Sequence, residues 1–200
     1  MPNQVHQLPM FKPGAQAGSL RVDQQLRAIV NLRGDAKDPA FVSAVQQALG
    51  LSLPAQACTS ARNERLRMVW VGPDDWFVIG PAGEQDAIAT ALREALAGQH
   101  AAVTDVSSGY FLVNLSGPSA RVLLSHGCPM DFHPSVFRVD QVATTHFFKV
   151  GITIWQTGPA PDFGLLVRRS FIDHFWQLAQ ACSREFGLVA GSADTVSQGA

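Results

Sequence analysis

His126, Cys128, Asp131 and His133 crowd into residues 126–133, and Arg168-Arg169 form a second polar group further along the chain. Imidazoles, thiols and carboxylates are the donors that hold transition metals, and they also serve as general acids and bases. Of the first group, His126, Cys128 and His133 could be offered as metal ligands and Asp131 as a general acid or base, but the spacing of the three matches no standard zinc pattern and a fourth ligand is not evident. The competing reading is structural. Cys128 would be a small buried hydrophobe, His133 would cap or pack a turn, and Asp131 would be a turn residue, the commoner role for a lone Asp in such a setting. The arginine pair sits at a strand end directly before a helix start. It could hold a carboxylate, of a ligand or of a partner chain, or simply be a solvated strand end. The chain has no G-x-G-x-x-G after a strand, no G-x-x-x-x-G-K-[ST] and no G-x-S-x-G. No residue is therefore assigned as catalytic, cofactor-binding or metal-binding.

The turn that carries the first group has a further property. Pro129 and Pro134 each fix a backbone torsion, which lowers the entropy cost of holding one shape. Met130, Phe132 and Phe137 add apolar area that a small turn cannot bury within itself. Either the turn folds back on the core or another subunit covers it, since interface cores favour aromatic residues and Met. The candidates for a partner interface are thus Met130, Asp131, Phe132, His133, Phe137, Arg168 and Arg169.

These residues need elements to position them. Tyr110–Leu115 is rich in β-branched and aromatic residues and reads as a strand. Ser116-Gly117-Pro118 starts a helix with Val122, Leu123 and Leu124 on its apolar face, and Gly127 reads as its left-handed stop. Earlier in the chain Asp38-Pro39 opens a helix that Gly50 closes, with Phe41, Val42, Val45 and Leu49 at helical spacing. Leu20–Leu32 holds one or two strands. Arg65–Val71 and Trp76–Ile79 are strands around the turn Gly72-Pro73-Asp74-Asp75. Glu84–Ala97 is a helix stopped by Gly98. Ala101–Val106, Val142–Val150, Ile152–Gln156 and Asp162–Arg168 are strands, the middle two broken at Gly151. Ser170 starts a last helix lined by Phe171, Phe175, Leu178 and Cys182 and ended by Gly187. The tryptophans, Trp70, Trp76, Trp155 and Trp176, sit among apolar residues and read as core.

The pattern repeats. Ile29-Val30-Asn31-Leu32-Arg33-Gly34 resembles Leu112-Val113-Asn114-Leu115-Ser116-Gly117, and Trp70-Val71-Gly72-Pro73 resembles Trp155-Gln156-Thr157-Gly158-Pro159. Asn31 and Asn114 are 83 residues apart, and Trp70 and Trp155 are 85. Periods this long indicate a duplicated subdomain. The fold class is α+β, with two similar strand-helix-strand-helix halves whose antiparallel or mixed sheets are each covered by helices. The division runs 1–19 as an N-terminal arm, 20–98 and 99–190 as the two subdomains, and 191–200 as a flexible tail.

Composition bounds the class. Hydrophobic residues make up 46% of the chain, so it folds as a globule. Lys+Arg number 15 against 16 Asp+Glu, with no basic run, which argues against nucleic-acid binding. No apolar run reaches the roughly 18 residues of a membrane span. Three widely spaced cysteines and no signal-peptide pattern point to a reduced, cytoplasmic setting.

Thr104-Asp105-Val106-Ser107, Val113-Asn114-Leu115-Ser116-Gly117-Pro118, Gly127-Cys128-Pro129-Met130-Asp131-Phe132-His133-Pro134 with Phe137, and Val167-Arg168-Arg169-Ser170 together resemble the gamma subunit of heterotetrameric sarcosine oxidase. The likeness covers about residues 20–190. Its Gly-Cys-Pro run is fairly specific; its Ser-Gly-Pro segment belongs to the wider folate-binding aminomethyltransferase-like fold. The resemblance implies a fold of two similar α+β halves. It implies a non-catalytic, structural role in a complex that demethylates sarcosine to glycine, yields hydrogen peroxide and passes the methyl carbon to tetrahydrofolate. The implied partners are alpha, beta and delta subunits, which hold the FAD, FMN, NAD, zinc and tetrahydrofolate sites. Unlike active aminomethyltransferases, the chain has no Asn-x-x-Gly-Gly-x-x-Asp-type run, and an additional C-terminal domain of their kind is not expected. The alternative is a stand-alone folate-binding one-carbon transfer protein.

Overall fold

The computed structural model describes residues 20–184 and 188–192. The expected arm at 1–19, the helix stop at Gly187 and the tail from 193 onward lie outside the described residues.

The elements run in one order twice. The first pass is β1 (Leu20–Gln25), β2 (Ala28–Arg33), α1 (Pro39–Leu49), β3 (Ser60–Arg62), β4 (Arg67–Gly72), β5 (Asp75–Gly80) and α2 (Gln85–Ala95). The second is β6 (Ala102–Asp105), β7 (Tyr110–Ser116), α3 (Ala120–Gly127), β8 (Val142–Phe147), β9 (Val150–Gln156), β10 (Phe163–Arg168) and α4 (Ile172–Cys182), followed by β11 (Leu188–Ser192). Local chemistry explains α1 well. Asp38 Oδ1 accepts the Ala40 N–H at 2.9 Å, Pro39 occupies the first helical turn, and Gly50 ends the helix at φ 59°.

The sheets exchange their first strands. One sheet has the order β6-β2-β5-β4-β3, and the other β1-β7-β10-β9-β8 with β11 outside β1. Position for position the two orders correspond, yet β1 pairs with β7 and β6 with β2. Each half therefore completes the other's sheet, and the division at 98/99 does not follow sheet membership. Asn31 and Asn114 hold the same place. Asn31 lies between Phe77 and Thr104, and Asn114 between Gly164 and Asp23.

Three apolar clusters give four layers. Phe41, Val45, Ile88 and Leu92 pack α1 and α2 on the first sheet. Leu123, Leu124, Phe175 and Trp176 pack α3 and α4 on the second. Ile29, Val69, Ile79, Leu112, Val142, Trp155 and Leu166 fill the layer where the two sheets face each other. Beyond β3 the sheets are stitched at one edge: Ser60 N–H donates to Asp140 O and Val142 N–H to Cys58 O, both at 2.8 Å.

Several local expectations are corrected. Trp155 aligns by register with Val69, not with Trp70, because Trp155 pairs with Gly164 and Val69 with Phe77. One residue of slip turns a side chain to the other face, so Trp70 packs toward α1 and α2 while Trp155 lies between the sheets. Gly127 is not a left-handed stop. It lies at the end of α3, and a Cβ there would meet the Phe147 ring at 2.5 Å. The break between β8 and β9 falls at Phe148-Lys149, with Phe148 at φ 52°, and Gly151 continues β9. α4 follows a 3-10 turn, Arg169–Phe171, and has no side-chain cap. It buries Ile172, Phe175, Trp176 and Ala179, leaving Phe171 44% exposed. α4 ends at Cys182, and residues 191–192, assigned to the tail, continue β11 parallel to β1.

Candidate functional site

The turn after α3 is anchored from several sides. Cys128 N–H donates to Leu124 O at 2.8 Å, and Arg121 Nε donates to Phe132 O at 2.8 Å. Phe132 and Phe137 sit edge to face at 5.4 Å, and both reach Phe163, at 6.0 and 6.3 Å. They are 4% and 5% exposed and belong to the core under α3 and α4, so the turn folds back on its own chain. As interface candidates these two are therefore corrected to internal anchors: the ring faces that a partner would need are already covered. Met130 is half-buried against the same core.

The polar members are used locally. Asp131 Oδ1 accepts the His133 N–H at 2.8 Å, closing an Asx turn. His133 Nδ1 lies 2.7 Å from Ser135 Oγ, and its carbonyl accepts the Val136 and Phe137 N–H groups at 2.8 and 2.9 Å. Asp131 and His133 nonetheless keep exposed side chains. Cys128 is buried, which pushes its thiol up to about 12. Among the described residues no three His, Cys, Asp or Glu side chains converge as metal ligands.

Arg168 and Arg169 are not brought to this turn. Phe163, which carries the Phe132 and Phe137 rings, begins β10, and Arg168 ends it. Arg168 is exposed, with its guanidinium 5.7 Å from the Tyr110 ring centroid. Arg169 Nε donates to Ser108 O at 2.7 Å and lies over Phe111 at 4.7 Å.

Sequence reasoning missed a second grouping, at the ends of the layer between the sheets. One end is a cleft of about 300 Å³ lined by Arg27, Arg62, Arg65, Arg67, Asn114 and Trp155 among others. The other end is a cleft of about 330 Å³ that includes Asp75, Tyr110, Thr153 and Arg168. The alternating arginines in Arg62-Asn63-Glu64-Arg65-Leu66-Arg67 were a visible signal. Their convergence with Arg27 and Asn114 depends on strand exchange and was not visible.

A model of the sarcosine oxidase, gamma subunit family matches residues 33–185. The chain belongs to that family. It is 31% identical over 171 residues to the sarcosine oxidase subunit gamma of Corynebacterium sp. (strain P-1), covering 84% of this chain and 82% of that one. It is 34% identical over 133 residues to the subunit gamma of an Arthrobacter species, covering 66% and 64%. In three dimensions it is similar to a chain of the heterotetrameric sarcosine oxidase from Corynebacterium sp. U-96 in complex with pyrrole 2-carboxylate, with a TM-score of 0.78 and 26% identity over 85% of this chain and 87% of that one. It shares its fold, at a TM-score of 0.63 and 14% identity, with the glycine cleavage system aminomethyltransferase T from Bartonella henselae, covering 89% of this chain and 48% of that one. Among the described residues no helix is long and apolar enough to cross a membrane.

Proposed function

We propose that this chain is the non-catalytic gamma subunit of a heterotetrameric sarcosine oxidase, held beside alpha, beta and delta chains. The observation that carries this reading is the family match across residues 33–185, together with a likeness extending over most of a chain from such an enzyme. The chemistry agrees with a supporting role. Removing a hydride from a secondary amine requires an electron acceptor, and protein side chains supply none. In this reading the flavins, NAD and tetrahydrofolate sit on the companion chains, and this chain contributes shape and contact. Met130, Asp131, His133, Arg168 and Arg169 are proposed as interface residues, with Phe132 and Phe137 as the internal anchors that hold the turn. The exposed side chains of Asp131, His133 and Arg168 support that assignment.

The test is co-expression of a tagged chain with the alpha, beta and delta chains of a sarcosine oxidase. The expected outcome is a four-chain complex that forms hydrogen peroxide from sarcosine, whereas the tagged chain alone is colourless and inactive. Failure of the chain to co-purify, or a flavin band that stays with the isolated chain through gel filtration, overturns the reading.

A further inference from the structure

The two clefts at the ends of the inter-sheet layer are counterparts under the duplication. With Asn31 set against Asn114, the row Arg67–Ile79–Ile29 corresponds to Thr153–Leu166–Leu112. The same alignment sets Arg27 against Tyr110. Two fold positions thus carry guanidinium groups at one end, and a threonine and a phenol at the other. Packing between the sheets does not demand the arginines, since the second copy is built without them.

Among the described residues the local carboxylates leave these cations short of anions. Arg65 is matched by Glu84 at 2.6 Å. Arg67 and Arg62 share the single carboxylate of Asp140, at 2.8 and 3.9 Å. Arg27 gives its Nε and Nη2 hydrogen bonds to Gln25 Oε1, at 3.0 and 2.6 Å, a neutral acceptor that orients the guanidinium without balancing its charge. Glu64 also lines the cleft, but its side chain is exposed to solvent.

The site is also partly built. The Arg67 side chain is only 12% exposed and lies 5.9 Å from the Trp155 ring centroid. Burial pulls its pKa down, against the hydrogen bond and charge of Asp140, and Arg62 adds to the lowering. An added anion would offset both effects. Trp155 is 2% exposed, and among the described residues its indole N–H has no acceptor. Asp140 and Cys58 flank the Thr59–Gln141 bridge of the stitch between the sheets, with φ of 63° and 60°, and the Asp140 carboxylate accepts the Arg67 Nη1 hydrogen bond at 2.8 Å.

We propose that this cleft binds a small oxyanion, a carboxylate or a phosphate, between Arg27, Arg62 and Arg67, with the Asn114 amide as a neutral donor. Guanidinium groups suit both chemistries because their paired N–H donors match two oxygens of one anion. The proposal is independent of the gamma-subunit reading.

The test uses the full-length chain, titrated with inorganic phosphate and, separately, with citrate, while chloride holds the ionic strength constant. Binding is read by calorimetry and by the shift in Tm. The expected result is saturable stabilisation by at least one anion, and which one identifies the chemistry. Arg27→Ala weakens it roughly tenfold or more, as loss of a charged hydrogen-bonding partner does. Arg93→Ala, which removes an exposed arginine on α2 outside the cleft, leaves it unchanged. Arg67→Met reports on the buried cation, and Arg27→Ala keeps the test decisive should that variant not fold. Absence of a saturable response to either anion overturns the proposal. So does equal binding by wild type and Arg27→Ala, or a response that chloride reproduces. If Arg27→Ala loses only its co-purification with the companion chains, and the free chain binds neither anion, the cleft is a docking surface and the proposal is wrong.

Discussion

Gly164 lies directly beneath the indole of Trp155. The two residues pair across β10 and β9, and a Cβ on Gly164 would fall inside contact distance of ring atoms Cε2, Cζ2 and Nε1. The indole fills the space that the missing side chain leaves between the sheets. Gly164→Ala should therefore force the ring out of place and lower stability by about 1–3 kcal/mol, as overpacking does. Gly151→Ala, on β9 with open space around it, should change stability by less than about 0.5 kcal/mol. Urea melts of the two variants check this; equal losses would refute the contact.

Phe132→Ala and Phe137→Ala each remove a ring from a three-aromatic cluster with Phe163. Losses of about 3–5 kcal/mol are expected for each. Val136, 53% exposed on the same turn, should tolerate alanine. Were the phenylalanine variants to keep the wild-type Tm and fail only to join the complex, the rings would have to be docking groups after all.

Asp140 is the carboxylate that Arg67 relies on. Asp140→Ala leaves a largely buried guanidinium without its anion and places a Cβ-only residue at φ 63°. A loss of about 1.5–3 kcal/mol would follow for a fully buried partner, and the 38% exposure of Asp140 puts the expected value at the lower end. Asp140→Asn should cost less, because Asn tolerates the left-handed region and keeps an acceptor oxygen. A larger loss for Asn than for Ala in thermal melts would contradict this account.

Cys128 makes stability fall at alkaline pH. Burial raises its thiol from an ordinary value of 9.0 to about 12, so between those values the unfolded chain has released a proton that the folded chain keeps. Its contribution is complete below about pH 9 and is lost as pH rises toward 12. Denaturant melts between pH 8 and pH 11 should show the decline in wild type and a shallower one in Cys128→Ala. At pH 8 an alkylating reagent should modify exposed Cys58 and spare Cys128.

Short-range chemistry made much of this chain legible from its residues alone. Asp38, Pro39 and Gly50 bound α1 because caps act within a few residues. The strands around Gly72-Pro73 follow from turn chemistry and alternation, and the duplication shows in the repeated order of elements and in Asn31 and Asn114. Tertiary structure decided whatever depended on which strand meets which. A strand's own residues do not name its partner, so the exchange of β1 and β6 could not be read from their composition. Nor could the inward aim of Phe132 and Phe137, since covering by the core and covering by a partner satisfy the same apolar surface. Trp70 and Trp155 align as letters but sit one step apart in register, and in a sheet that step separates one face from the other. The arginine cleft required all of these decisions at once. Arg27, Arg67 and Asn114 come from the link between β1 and β2, from β4 and from β7, and only the packing of the two exchanged sheets brings them together.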